Sequence, residues 1–434
     1  MESKEVQRAV GNFSWLFADK LSRFTLTLLV NALMARQLGP LGIGQLNYAL
    51  AFCTILGFLV TQGLDQLIVR NLVREPEKAG ETLGAVLVLR LIGSCLCIGL
   101  GLIAALSFGA NLSQTGPLIA VISFSYLANS CDFSDLWFQS RTMSKWTVVS
   151  RQVGLLIAAG VRLSLVWAQA PLIAFAIAQV IETWATAMVQ YYSFRFKQGP
   201  RLILSGAFAR GRLLLKEGWP LSLCAVTILI YSKFDQVLLA KWRPLEEVGY
   251  YSSSLRILDY VNIFPMIIST SIFPFMIKAY SGETSVWSNR FERILSFVNW
   301  GAWLGALSLY VLATTVVLIL YGPQFENAVP LLQIVCWTIP AVFFSVVRHA
   351  WLTMKGRLGT ALKFELSVAC ISLVANFILI PRFGARGSAW SMLVTTYAAN
   401  LVGLLWLRDL REPAALYVRS LLYPARLLVS KLAG

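Results

Sequence analysis

The first apolar segment of the chain carries charged side chains where a lipid-facing helix would carry none. Within residues 12–52, Asp19, Lys20 and Arg23 lie inside an apolar span. At about 100° per residue, Asp19, Arg23 and Asn31 fall on one face of a helix. Because a charge in hydrocarbon is costly, this face must contact protein or water rather than lipid alone. A chain with such a helix needs a polar interior within the membrane.

Apolar segments recur along the whole chain and predict an all-α polytopic membrane protein. Hydrophobic residues make up 57% of the sequence and charged residues 13%, and several segments reach the roughly 18 residues that cross a bilayer. The start of the chain lacks the features of a cleaved signal peptide, so the first span is expected to remain in the mature protein. The pattern predicts twelve transmembrane helices, at residues 13–35, 43–64, 82–107, 117–139, 147–168, 171–194, 218–241, 248–277, 294–320, 327–347, 360–380 and 387–407.

The seven cysteines lie in apolar segments and form neither a CxxC pair nor a Cys/His cluster. This distribution argues against a disulfide framework and against a zinc site. We therefore expect no metal and no cofactor.

The net charge of +16 follows the predicted topology. The N-terminus, the even-numbered connections and the tail hold 26 of the 37 Lys and Arg residues, whereas the odd-numbered connections hold 5. Positive residues concentrate on the cytoplasmic side of membrane proteins, so both termini are predicted to be cytoplasmic. Because topology accounts for the basic excess, no nucleic-acid partner is expected.

Similar residues recur in the two halves of the sequence. Trp137 corresponds to Trp351 around the ends of helices 4 and 10, and Trp15 corresponds to Trp219 near the start of helices 1 and 7. Chance similarity between apolar segments is the alternative, but the pairing predicts two pseudo-symmetric six-helix bundles. The expected division is an N-terminal bundle at 1–194, a cytoplasmic basic linker at 195–216, a C-terminal bundle at 217–408 and a basic amphipathic cytoplasmic tail at 409–434.

Three smaller features carry local predictions. The linker residues 202–208 are expected to form a short amphipathic piece on the inner membrane surface. The tail is either an interfacial helix interrupted at Pro424 or a partly ordered basic segment. Gly301 and Gly305 form a GxxxG pair that predicts close helix packing.

Several ionisable residues lie deep in the predicted spans. Arg23, Arg90 and Arg256 are the deepest basic residues, whereas Arg162 and Lys233 are near enough to the outer side to extend toward water. Among the acidic residues, Asp132 and Asp135 share a helix face. Ion pairing with neighbouring helices is favoured for these two over cation binding or acid/base chemistry. Glu182 in helix 6 is a candidate either for reversible protonation or for a hydrogen bond between helices.

Four segments carry a resemblance to a known family: NFSWLFADKLSRF, ALMARQLGPLGIGQLNYALAF, GLDQLIVRNLVREPEKAGETLGAVLVLRL and LIPRFGARGSAW. They resemble the Wzx-type polysaccharide flippases of the multidrug/oligosaccharidyl-lipid/polysaccharide exporter superfamily. The resemblance implies two six-helix bundles around a central cavity that opens alternately to each side of the bacterial inner membrane. The implied substrate is an undecaprenyl-diphosphate-linked oligosaccharide for O-antigen or a related surface polysaccharide. The polysaccharide polymerase and the chain-length machinery are candidate partners.

This substrate gives the buried polar residues expected roles. Arginine binds phosphate oxygens bidentately, so Arg23 and Arg256 are expected to bind the diphosphate, with Arg90 and Lys233 as further candidates. The glycan hydroxyls are assigned to Asn31, Asn47, Tyr48, Ser253 and Tyr260. The expected charge partners or coupling residues are Asp19, Lys20, Asp259, Glu182 and Asp235. Transport of this kind needs no covalent chemistry, so the protein is not expected to be an enzyme.

Two other functions are compatible with parts of the pattern. A multidrug antiporter of the same superfamily would favour an acidic or apolar cavity, whereas here deep basic residues compete with the acids. A membrane glycan polymerase or ligase would need a substantial outer loop. The predicted outer connections are too short to contain a catalytic domain.

Overall fold

The computed structural model describes residues 2–107, 115–262, 285–355, 357–406, 410–411, 414–415 and 417–423. Side chains at residues 2–22 are outside this description. The predictions for the side chains of Trp15, Asp19 and Lys20 therefore lie outside the described residues, as does the part of the predicted helix 8 beyond residue 262.

The chain divides into two compact units, Met1–Val226 and Thr227–Gly434. Every regular element within the described residues is a helix. The first unit contains α1 (Glu2–Thr61), α2 (Asp65–Arg74), α3 (Ala79–Ser107), α4 (Gly116–Ser123), α5 (Ser125–Asn129), α6 (Phe133–Ser140), α7 (Ser144–Trp167), α8 (Leu172–Phe196) and the start of α9 (Ala207–Trp242). The second contains the rest of α9, α10 (Leu245–Val261), α11 (Ser285–Tyr321), α12 (Val329–Val335), α13 (Ile339–Met354), α14 (Leu358–Phe383), α15 (Ala385–Trp406) and a short tail helix at 417–423.

The helices identify a multi-pass membrane protein. Eight helical stretches among the described residues are long and apolar enough to cross a membrane. The predicted all-α class is therefore confirmed. The count of twelve spans and their pseudo-symmetry stay predictions.

The first two predicted spans form one helical element broken at a single residue. Gly39 has φ 66° and ψ 178°, a conformation that a side chain would oppose, and Pro40 follows it. The predicted loop at 36–42 is thus reduced to a kink in α1.

The linker does not form the predicted amphipathic piece, because its backbone packs against α3. The N–H of Ile203 donates to the carbonyl of Gly80 over 3.0 Å. A Cβ atom at Gly80 would lie 2.5 Å from the carbonyl oxygen of Arg201, and one at Gly84 would lie 2.2 Å from that of Ile203. These two glycines therefore permit the linker to approach α3 closely.

Helix α9 begins earlier than predicted and its first part belongs to the N-terminal unit. The hydroxyl of Ser222 donates to the carbonyl of Gln62, and a Cβ at Gly218 would lie 2.1 Å from Leu64. Leu214 is buried in the same core. The boundary between the units therefore lies within α9 rather than at residue 217.

Aromatic packing holds the same core near the ends of α6 and α8. Phe194 makes edge-on contacts with Phe133 and Trp137, at ring-centroid distances of 5.4 and 5.2 Å. Such pairs contribute roughly 0.5–1.5 kcal/mol beyond the burial of their area. This cluster fixes the first half of α6 against the carboxyl end of α8.

The tail helix packs against the C-terminal unit. Asn299 of α11 donates to Ser420, and the indole N–H of Trp300 donates to the carbonyl of Leu421 over 3.3 Å. Tyr417 packs its ring against Phe344 of α13 at a centroid distance of 4.8 Å. Polar and aromatic contacts thus hold residues 417–423 against α11 and α13.

The GxxxG prediction is wrong for the described part of the chain. Sites for a Cβ atom at Gly301 and Gly305 have no described heavy atom within 4 Å, apart from their own helix backbone and chain neighbours. These glycines do not mark a close helix contact.

Candidate functional site

A buried arginine in the N-terminal unit joins three helical segments. Arg90 of α3 lies 2.8 Å from the carboxylate of Asp65 and 3.5 Å from that of Asp132. It also donates to the carbonyl of Asn129 over 3.3 Å. The Arg90 side chain is 4% exposed, whereas the two carboxylates are about half exposed, at 51% and 41%.

This arrangement changes the role expected for Arg90. Two carboxylates offset its single positive charge, and its donors are directed at protein acceptors. A phosphate would have to displace these partners. We therefore assign Arg90 to the structure of the unit rather than to substrate binding.

The second acid of the DFSD segment has a partner of its own. Asp135 accepts from Arg151 over 2.8 Å and from the hydroxyl of Thr147 over 2.7 Å, both on α7. With Arg90 beside Asp132, each carboxylate of the segment has a basic partner on another helix. The ion-pair interpretation of this segment is confirmed.

An ion pair also links α7 and α8. Arg162 donates to Glu182 and to the amide oxygen of Gln179, each over 2.7 Å. Arg162 is 9% exposed, so it does not extend outward as one interpretation expected. Glu182 is likewise not isolated in its span.

Four charged residues of the C-terminal unit lie on α9 and α10. Asp259 of α10 lies in the electrostatic field of Lys233 and Arg256. Asp235 is buried and accepts a hydrogen bond from Tyr251 over 2.6 Å. Arg256 and Lys233 are half-buried. This cluster, unlike the one around Arg90, has as many basic as acidic side chains.

The residues assigned to the glycan differ in exposure. Tyr48 and Ser253 are each 3% exposed and Asn47 is 9% exposed, whereas Asn31 and Tyr260 are half-buried. Asn47 donates to the carbonyl of Ile43 over 3.0 Å within its own helix. Arg23, near the start of the described side chains, is also half-buried.

The sequence did not identify one buried basic residue as lying inside a span. Arg348 follows the predicted helix 10, but it lies within α13 and is 8% exposed. Its guanidinium stacks on the ring of Phe364 at 3.6 Å and donates to Asn400. The predicted span ended at residue 347, so extending it by one residue would have included this arginine.

Comparison with known proteins assigns the chain to a family. The family model described as "Polysaccharide biosynthesis protein" matches residues 9–280, more than half of the sequence. The chain belongs to this family. The resemblance predicted from the sequence segments is therefore confirmed.

The individual proteins that resemble this chain share little sequence identity with it. A Shigella dysenteriae protein named "Putative O-antigen transporter" is 21% identical over 350 residues, which cover 79% of this chain and 85% of that protein. Among solved structures, an inward-closed lipid II flippase MurJ gives a TM-score of 0.75 at 14% identity, covering 96% of this chain and 92% of that one. An inward-facing multidrug resistance MATE family transporter of the MOP superfamily gives 0.71 at 14% identity, covering 91% and 95%. At this identity the comparison shows a fold shared with these two proteins and nothing further.

Proposed function

We propose that this protein translocates an undecaprenyl-diphosphate-linked oligosaccharide from the cytoplasmic to the periplasmic leaflet of the bacterial inner membrane. The product would serve synthesis of O-antigen or a related surface polysaccharide. The observation that carries the proposal is the family match over residues 9–280 of a chain with the MOP fold. Similarity to the O-antigen transporter and to the lipid II flippase favours a lipid-linked glycan over other polysaccharide precursors.

The charged residues suggest how the diphosphate is accommodated. A diphosphate crossing a bilayer needs cationic, hydrated surroundings. Arg23 and Arg256 are half-buried, which leaves part of each side chain accessible. We assign phosphate binding to these two arginines, with Lys233 in a supporting role, and glycan contacts to Asn31 and Tyr260 first among the predicted residues.

The transport cycle would use two halves of six helices each, with both termini in the cytoplasm. The two halves would expose the substrate path alternately to each leaflet while the polyprenyl chain stays in lipid. No bond is made or broken in such a cycle, so we propose a transporter without catalytic residues. Asp19, Lys20 and Asp259 would position the arginines, and Glu182 or Asp235 would couple transport to an ion.

Multidrug antiport is the second candidate, favoured by the fold shared with the multidrug transporter. The half-exposed acids beside Arg90 are also compatible with a cationic substrate. The two functions differ in the charge of the substrate. Loss of a multidrug antiporter sensitises cells to cationic dyes, whereas loss of a flippase interrupts glycan synthesis.

A deletion strain tests the proposal directly. We expect the strain to lose surface polysaccharide and to accumulate lipid-linked repeat units on the cytoplasmic leaflet, with recovery when the full chain is restored. Leaflet distribution can be measured in inverted and right-side-out vesicles with a glycan-binding lectin. Normal leaflet distribution together with raised dye sensitivity would favour antiport.

A further inference from the structure

The start of α9 packs one face against the N-terminal unit. Its buried residues recur at helical spacing: Ala207, Gly211, Leu214 and Gly218. A Cβ atom at Gly211 would lie 3.1 Å from the side chain of Leu89 on α3, so the glycine permits close contact there. This packing fixes which side chains of the helix point away from the unit.

The opposite face of the helix is a stripe of apolar and basic side chains, defined by Phe208, Arg212, Leu215, Lys216 and Trp219. At about 100° per residue, four of them fall within about 60° of one another, and Lys216 lies directly beside Arg212. Phe208 and Trp219 are exposed at 70% and 62%, and Leu215 at 39%. Arg212 and Lys216 are exposed as well. The stripe therefore places two cations between two aromatic side chains.

The two cations of the stripe form no ion pair with an acid among the residues that the structure describes. The nearest acid in sequence, Glu217, bonds instead to Arg70 of α2. Arg212 and Lys216 are four residues apart, so their like charges repel on adjacent turns. An anion held between them would offset this repulsion, and arginine is well suited to phosphate oxygens.

The length of α9 places the stripe near the lipid headgroups. The helix has 36 residues and is about 54 Å long, whereas the hydrocarbon core of a bilayer is about 30 Å thick. Part of α9 must therefore extend beyond the hydrocarbon, and the charged turns before the predicted span at 218–241 are suited to do so. Trp219 is of the residue type that is enriched at this boundary. On the predicted topology this end of α9 meets the cytoplasmic leaflet, where basic residues next to a span attract anionic lipids.

We propose that Arg212 and Lys216 bind the phosphate of an anionic phospholipid, while Phe208 and Trp219 contact its acyl chains. The two cations are about 6 Å apart along the helix axis, so both can reach one phosphate group. The diphosphate of a lipid-linked glycan has similar chemistry, but sugar hydroxyls also need acceptors, and the side chains of the stripe offer only donors. The inference therefore concerns a membrane phospholipid and does not depend on the proposed function.

Photochemical crosslinking from the centre of the stripe tests the site. Leu215 is replaced by the photoreactive residue p-benzoylphenylalanine in the full chain, which is placed in nanodiscs with equal amounts of phosphatidylglycerol and phosphatidylcholine. Mass spectrometry of the crosslinked peptide gives the ratio of the two lipids at the site. Two basic residues near a membrane surface predict a roughly ten- to thirtyfold enrichment of phosphatidylglycerol.

Two matched double variants separate the stripe from net charge. Arg212→Gln combined with Lys216→Gln should bring the two lipids close to parity. Arg74→Gln combined with Arg141→Gln removes the same charge from two other exposed arginines of the unit and should keep the enrichment. Because all four side chains are exposed, none of these substitutions removes a buried contact.

Parity of the two lipids in the chain that keeps Arg212 and Lys216 would overturn the proposal, as would crosslinks to protein alone. An equal loss of enrichment in the two double variants would show a response to net charge and would overturn it as well. In a further arm, undecaprenyl phosphate is added in the same amount as phosphatidylglycerol. Crosslinks that then contain mainly the polyprenyl lipid would assign the stripe to the lipid carrier of the glycan instead, whereas continued enrichment of phosphatidylglycerol would support the phospholipid site.

Discussion

The guanidinium of Arg90 lies 2.8 Å from the carboxylate of Asp65, and this bond connects α3 to the first residue of α2. The pair brings together residues 25 positions apart. Asp132, on the segment between α5 and α6, completes the contact at 3.5 Å. A single buried cation thus fixes three segments of the N-terminal unit, and this differs from the role of a residue that must release a passing substrate.

Arg90→Ala should therefore destabilise the protein. The carboxylates of Asp65 and Asp132 are about half exposed and can regain water, so we expect a loss of roughly 1–3 kcal/mol rather than the full cost of an orphaned buried charge. Thermal unfolding in detergent would measure it. Arg74→Ala, an exposed arginine at the end of α2, is the control. Unchanged stability with abolished transport would contradict a structural role.

Arg162 and Glu182 should be energetically coupled. Their atoms lie 2.7 Å apart and both side chains are largely buried, at 10% and 25% exposure. A double-mutant cycle of Arg162→Ala and Glu182→Ala should give a coupling free energy of roughly 1–3 kcal/mol in unfolding. Pairing Arg162→Ala with Glu217→Ala, an acid bonded elsewhere to Arg70, should give additive effects. Additivity for the first pair would show that the contact contributes little.

The linker contact should loosen in acid. Lys78 and Arg210 lie 3.3 and 3.0 Å from Glu75 and hold the pKa of its carboxyl below the ordinary value. Because the folded-state pKa is lowered, this stabilisation is present above the ordinary carboxyl pKa and is lost as pH falls through the lowered value. Hydrogen exchange at the Ile203 amide, corrected for intrinsic rate, should accelerate from about pH 7 to about pH 3.

Glu75→Gln provides the control for this pH effect. The variant keeps the shape of the side chain but cannot carry the charge, so Ile203 should already exchange faster near neutral pH. Its exchange should then show little further change in acid. Equal pH dependence in the variant and the unmodified protein would assign the effect to another group.

The sequence allowed the helical class to be predicted because long apolar segments depend only on local composition. It also identified Asp132 and Asp135 as ion-paired, since charge in a span requires a partner. The sequence could not show that Arg90 pairs with Asp65 or that Glu182 pairs with Arg162, because the choice of partner depends on how the helices pack.

The orientation of the chain should follow its charge bias. With 26 basic residues predicted on one side and 5 on the other, a reporter fused after Gly434 is expected to be active only in a cytoplasmic form. Paired green fluorescent protein and alkaline phosphatase fusions would measure this. A fusion at the turn between α7 and α8 should give the opposite pattern. Strong phosphatase activity after Gly434 would reverse the sides assigned to every connection.

Substitution of Arg23 and Arg256 should reduce transport without reducing stability. Losing a charge-assisted hydrogen bond to phosphate costs roughly 1.5–3 kcal/mol, which corresponds to about ten- to a hundredfold weaker binding. Arg23→Ala and Arg256→Ala should therefore sharply lower surface glycan at matched membrane levels, and Lys replacements should restore it in part because they keep the charge but lose the bidentate geometry. Arg141→Ala, an exposed arginine after α6, should export normally. If both alanine variants also export normally, these arginines do not bind the diphosphate and another cation, such as Lys233 or Arg348, must be tested.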